Sequence, residues 1–150
     1  MSRFHINDRI DAPHGQFLLK VYRRGVMIET VNEPNLIVTG SKEALAHLLG
    51  GDVTDRSVTQ IGFGTSGTSP VVGNTSLTGG FYKDLDDVTY PSAGTVAFEF
   101  SLSSSEANGK AIMEFGLLTE GYVLFSRRVR SAALNKESDI SLTGLWSIVF

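Results

Sequence analysis

The chain has 150 residues, 41% hydrophobic and 19% charged, with a formal net charge of −3, which suits one domain with its own core and argues against a general nucleic-acid binder, since that role calls for a basic face. The absence of cysteine excludes disulfides, thiolate metal centres and cysteine nucleophiles. The first residues, MSRFHINDRID, lack the apolar stretch of a signal peptide, and no apolar run approaches the roughly 20 residues of a membrane helix, so the chain is expected to be made in the cytoplasm with no membrane partner.

Residues 1–15 are polar, with Pro13 and Gly15 near their end. They read as an extended arm, either loose or pinned by a neighbouring subunit. Residues 16–150 then form a single domain. Residues 16–32 predict a hairpin: Phe17, Leu18, Leu19, Val21 and Tyr22 lead in, Arg23, Arg24 and Gly25 turn, and Val26, Met27, Ile28 and Val31 lead out. The two arginines are expected to be solvated. Pro34 disfavours helix at Glu33, and Leu36, Ile37 and Val38 predict a short buried strand. Residues 41–49 predict a short helix with Ser41 as N-cap, Glu43 at the positive dipole end and Gly50 and Gly51 as the stop. Its apolar stripe is Ala44, Leu45, Leu48 and Leu49; His47 lies off that stripe and reads as a surface residue.

Residues 57–64, SVTQIGFG, predict a strand with Thr59, Ile61 and Phe63 on one face. The following residues 65–80 are rich in Gly, Ser and Thr and predict a long surface excursion with a role in contacts. GFGTSG lacks the lysine of a phosphate loop and the following helix of a dinucleotide fingerprint. Residues 81–90 mix aromatics with Asp84, Asp86 and Asp87. A solvated acidic turn between two strands is the expected reading; cation binding is the alternative, although the glycine and distal glutamate of an EF-hand loop are missing.

The strongest strand signal begins at Thr95. Val96, Phe98, Phe100 and Leu102 alternate with polar or small residues. After a polar turn over residues 103–109, residues 111–118 carry apolar side chains on both faces and read as a central strand. Residues 122–130 return. Residues 131–137 read as a connection, and residues 139–150 close the chain as a strand in which Gly144 marks a bend or bulge. One helix among seven to nine short strands makes the fold mostly β, an antiparallel sandwich with a closed barrel as the alternative.

Candidate chemistry is sparse. His5, His14 and His47 belong to no hydrolase or zinc motif. Glu99, Glu106 and Glu114 share no spacing that sets them apart from outward-facing residues, so the chain is not expected to be an enzyme or to need a cofactor. Arg127, Arg128 and Arg130 form the densest basic patch. It reads either as an edge-strand charge that blocks wrong pairing or as an intersubunit salt bridge, and it is too small for nucleic acid.

Two segments resemble a known family. NLIVTGSKEALAHLLGGD, followed by VTQIGFGTSGTSP and NTSLTG, is similar to a layout of tailed-bacteriophage tail proteins: a strand led by asparagine, a short helix ending in Leu-Leu-Gly, a G-x-G strand and a Thr/Pro-rich loop. ANGKAIMEFGLLTEGYVLFSRRVR and the residues after it are similar to a strand-turn-strand of tail-fibre and baseplate-associated proteins. The resemblance implies a virion structural protein without a repetitive shaft: a baseplate, tail-tip or fibre-attachment subunit. Its partners would be itself, as a trimer or hexamer, and other tail proteins. The alternatives are a capsid decoration protein and a host-receptor module that binds a glycan or a protein, for which Phe81, Tyr82 and Tyr90 would supply an aromatic platform. Expected contact residues are Arg3, Phe4, Ile6 and Ile10 in the arm. The loop would add Thr65, Ser66, Thr68, Pro70, Val71 and Val72, and the sheet would add Tyr82, Arg128 and Arg130.

Overall fold

Period-two patterning dictates most of the structure. The computed structural model describes residues 12–150. In chain order its elements are β1 (His14–Arg23), β2 (Val26–Ile37), α1 (Gly40–Leu49), β3 (Val58–Gly64), β4 (Phe81–Asp84), β5 (Asp87–Thr89), β6 (Thr95–Leu102), β7 (Ala111–Thr119), β8 (Leu124–Asn135) and β9 (Ile140–Val149). The strands form one antiparallel sheet in the order β4-β3-β7-β8-β2-β1-β9-β6-β5. The mostly β, antiparallel fold with one short helix expected from the sequence is therefore present, and its two facing layers are halves of a single curled sheet.

Two corners produce the curl. At the first, β2 belongs to the β1 half for most of its length, and only Leu36 and Ile37 pair with β8, opposite Arg127 and Ser126. At the second, β4 and β5 lie on opposite edges of the sheet yet are separated in the chain by only Leu85 and Asp86. The Leu85 N–H donates to Thr59 O at 2.9 Å on one half, and the Asp86 N–H donates to Glu99 O at 2.8 Å on the other. The acidic segment is thus a covalent tie between the sheet's two edges. Asp84, Asp86 and Asp87 are exposed there, and no group of three His, Asp or Glu among the described residues is arranged to hold a metal ion.

The inward residues of both halves meet in one core. Phe17, Leu19 and Val21 of β1, Phe98, Phe100 and Leu102 of β6, and Ile140, Leu142, Trp146 and Ile148 of β9 face Ile61 and Phe63 of β3 and Phe115 and Leu117 of β7. Aromatic contacts cross the interior: the rings of Phe17 and Phe115 are 5.0 Å apart, and those of Phe63 and Phe100 are 6.3 Å apart. Burying each such side chain contributes about 1.5–3 kcal/mol, so this interlock is the main source of stability.

Several local expectations are corrected. β1 starts at His14, within the stretch assigned to the arm. β2 runs through Pro34, which pairs with Gln16; β8 joins only beyond it, so the missing N–H faces no ladder. The helix N-cap is Thr39, with no side-chain cap bond, and Ser41 is buried instead. Leu49 lies outside the apolar stripe at 92% exposure. His47 is partly exposed, as expected, and bonds Asp52 at 2.7 Å, which holds that carboxyl below its usual range. β8 continues through residues read as a connection, with Leu134 opposite Ile112 and Asn135 opposite Ala111. The hairpin turn is tighter than drawn: only Arg24 and Gly25 turn, with φ of 50° and 79°. Arg23 and Arg24 stay exposed at the turn, as expected, and contact Asp139 just before β9.

Gly144 marks no bend. β9 pairs without a register shift along both β1 and β6. The glycine is there because a β-carbon would overlap the ring of Phe100 on the neighbouring strand. Gly144→Ala is expected to cost about 1–3 kcal/mol by overpacking. Gly144→Ala combined with Phe100→Leu should cost less than the sum of the two single changes. Chemical denaturation of the four proteins checks this; additivity would mean that ring and glycine are not coupled.

Candidate functional site

The outer face of the β3–β7 pair is unusually flat. Gly62 pairs with Gly116, and Gly64 pairs with Glu114. The G-x-G of the sequence thus lies inside a strand and is no phosphate loop. A β-carbon at Gly62 would stand 2.6 Å from Leu77 Cδ1, and one at Gly64 would stand 2.7 Å from Glu114 Cγ. At Gly116 it would stand 2.9 Å from Leu124 Cδ1. The glycines leave room for residues 65–80 to fold back over the sheet. Leu77, in a segment read as surface throughout, is buried with Val38, Leu118 and Leu124, and Tyr82 packs against them.

Beneath the loop lies a buried ion pair. Glu114 is 0% exposed and Arg127 is 3% exposed. Arg127 Nε donates to Glu114 Oε1 at 3.0 Å. The other carboxylate oxygen accepts the Ser66 N–H at 2.7 Å and the Thr78 N–H at 3.0 Å. Arg127 Nη1 donates to Thr68 O and to Asn74 Oδ1, both at 3.0 Å, and Nη2 donates to Ser66 O at 3.4 Å. Asn74 Oδ1 also accepts the Val71 N–H at 3.0 Å. At the loop tip, the Thr39 N–H at the start of α1 donates to Val72 O at 2.8 Å. The sequence places Glu114 opposite Phe115 in parity, which is correct, but reads it as solvent-facing, which is not. Arg127 finds its acid within the chain.

The loop is therefore held at both ends and at its tip. Its remaining exposed apolar side chains are Pro70, Val71 and Val72, with Val71 at 56% and Val72 at 60%. Thr65 and Thr68 are exposed and Ser66 is half-buried; all three take part in bonds that shape the loop. Arg3, Phe4, Ile6 and Ile10 lie outside the described residues.

Arg128 and Arg130 flank the wedge that opens where β2 leaves β8. Arg128 pairs with Glu33, and its Nη1 donates to Pro34 O at 3.3 Å. Arg130 Nη2 reaches both carboxylate oxygens of Glu29, at 3.1 and 3.0 Å. The wedge encloses about 470 Å³ with Phe17 at its floor. Both arginines are thus paired within the chain across an unzipped stretch of sheet.

The aromatic platform does not form. Phe81 packs on the main core, Tyr82 packs on the second cluster beside Tyr122, and Tyr90 stands at the far end at 78% exposure. Burial raises the Tyr82 phenol, and the Glu114 carboxylate adds to the effect.

Sequence reading also misses Lys136, which is 1% exposed. Its Nζ donates to Asn108 Oδ1 at 2.7 Å, Glu137 O at 3.1 Å and Ser104 O at 3.3 Å, fastening the turn before β7. Burial lowers this ammonium, while Glu106 and Asp139 oppose the shift. Glu106 fastens the same turn, accepting from the Ser103 N–H and from Lys83 Nζ, each at 2.9 Å. These contacts, the backbone N–H first, pull its carboxyl below the ordinary 4.5.

Compared with known proteins, the chain matches no family model, no curated protein and no solved structure.

Removing one partner of the buried pair strands a charge under the loop. Glu114→Ala or Arg127→Ala is expected to destabilise the protein by about 3–5 kcal/mol and to open residues 65–80 to limited proteolysis. Glu114→Leu with Arg127→Met should recover much of the stability but leave the loop cleavable, because its backbone partners are gone. A second test concerns acid. A carboxyl whose folded pKa is depressed contributes stability above its unfolded value and loses it as pH falls through the folded value. Glu106→Gln should therefore lower the melting temperature at pH 7, and the difference from the parent should shrink below pH 4.5.

Proposed function

We propose that the chain is a structural subunit of a bacteriophage tail: a baseplate, tail-tip or fibre-attachment protein that works by self-association, as a trimer or hexamer, and by docking to neighbouring tail proteins in the virion. The observation that carries this reading is the fastened loop. A Gly/Ser/Thr-rich excursion over residues 65–80 would normally be mobile, and ordering it on encounter would cost conformational entropy. Here the Glu114–Arg127 pair, Asn74 and the Thr39 N–H hold it in advance, and it presents Val71 and Val72 to solvent. A preordered apolar tip rimmed by polar groups has the composition of a docking patch. The resemblance of the strand-turn-strand around residues 106–130 to tail-fibre and baseplate-associated proteins supports the same assignment. Closed symmetry is the default for homo-oligomers.

Val71→Asp with Val72→Asp is expected to weaken self-association and leave the fold intact, because exposed side chains away from special contacts move stability by only about 0.5 kcal/mol. Light scattering after size exclusion reads the first effect and thermal melting reads the second. Labelling of intact particles should place the chain on the tail. A chain that is monomeric in solution and absent from tails would defeat the proposal.

A further inference from the structure

The end of the curled sheet beside α1 is open. A groove of about 1050 Å³ enters there, lined by Leu45 and Leu48 of the helix, Val88 and Tyr90 at the β5 edge, and Ile148 and Phe150 at the end of β9. No charged side chain lines it. Tyr90 and Phe150 are 78% and 52% exposed at its mouth, an unusual setting for two large aromatic side chains so close together.

The chain's own N-terminal segment emerges at this mouth. His14, the first residue of β1, pairs with Val149, and Val149 pairs on its other side with Thr95. The Phe150 N–H donates to Gly94 O at 2.9 Å. Gly94, Thr95 and Phe150 all line the groove, so β1 begins within two strands of it. Residues 1–11 lie outside the described structure; in their sequence Phe4 and Ile6 share one parity while Arg3, His5 and Asn7 share the other, and Asp8 then falls on the parity of Phe4, Ile6 and Ile10. If extended, such a segment would carry a short apolar face at Phe4 and Ile6, and at roughly 3.3 Å per residue it would span more than 30 Å.

Direction selects the occupant. Ala12 precedes Pro13, and a residue before proline is held to extended conformations. That restriction disfavours a sharp reversal of the chain at Ala12, which a return into its own groove would need. We propose that the groove beside α1 receives residues 4–6 of a second copy of this chain, with Phe4 and Ile6 inward and Asp8 left outside it in water. The exchange rests on the self-assembling role proposed above and supplies it with a contact separate from the loop tip.

The test uses full-length protein. Phe4→Asp with Ile6→Asp removes two apolar anchors, each able to change binding by about tenfold or more, and should raise the self-dissociation constant by about a hundredfold. Tyr90→Asp at the groove mouth should weaken association in the same direction. Circular dichroism confirms that each variant is folded, and hydrogen exchange over residues 88–96 reports occupancy of the groove. The expected result is that protection seen in the parent oligomer disappears in the arm variant together with the oligomer. An oligomer that survives the arm change with unaltered protection overturns the exchange and leaves the assembly role standing. Loss of the oligomer with protection retained places the arm's partner elsewhere and also overturns it. A parent that is monomeric, whether or not the arm change removes protection, overturns both the exchange and the assembly role.

Discussion

A carboxylate and a guanidinium withdrawn from water must satisfy every charge and donor they carry, or the fold loses several kcal/mol. Glu114 and Arg127 meet most of that requirement with each other and with a single surface segment: the Ser66 and Thr78 amides, the Ser66 and Thr68 carbonyls and the Asn74 side chain. The path of residues 65–80 is in effect the shape of that solvation shell. Gly62, Gly64 and Gly116 are its complement on the sheet, because side chains there would lift the loop off the pair. A hydrophobic pair of equal volume could stabilise the layer as well, but it would impose no position on the loop backbone. The ion pair converts a Gly/Ser/Thr stretch with little intrinsic preference into one defined surface.

The same half of the molecule shows how an open sheet protects its unpaired edges. Where β2 parts from β8, two strand edges face a wedge. Pro34 withholds an amide there, and the Glu33–Arg128 and Glu29–Arg130 pairs put charge across the gap. At the opposite corner the two edge strands β4 and β5 are kept short, at four and three residues, and are joined through Leu85 and Asp86. Arg127, Arg128 and Arg130, which the sequence left open as either an edge-strand charge or an intersubunit salt bridge, each pair with an acid of the same chain.

What was legible in the sequence follows from what is local. β1, β6 and β9 bury one parity of side chains, so alternation reveals them; the hairpin carries its turn residues; and the Gly50 and Gly51 stop ends α1 as expected. Legibility fails where the deciding neighbour is distant. Glu114 has the correct parity for an outer face, but nothing near it in the chain announces that residues 65–80 will cover it. Phe125 shares parity with Arg127 yet enters the core, because the register slips between Leu117 and Leu118. Ile112 and Phe115 reach the same core from opposite parities because a second shift falls between Ile112 and Glu114. Residues 131–133 are exposed and weakly apolar and read as a connection; they lie within β8 but bulge from its ladder with β7, which resumes at Leu134. Gly144 was seen as a bend because glycine usually marks one; its cause is a ring on the neighbouring strand.

The open end beside α1 is explained by the same accounting applied to apolar surface. A helix at the mouth of a curled sheet acts as a plug when its apolar face is wide enough. α1 has ten residues, and it buries only Ser41 and Ala44. Leu45 and Leu48 are half-buried, and Leu49 turns fully outward. The plug therefore seals the side toward β8 and stops short of β5 and the end of β9, where Val88, Tyr90 and Phe150 remain in water. Covering them would contribute roughly 25 cal/mol for each Å² removed from solvent, and no described residue of the chain is left to do it, since the neighbouring strands are committed to the ladder. The proposed arm of another subunit would bring Phe4 and Ile6 to that surface.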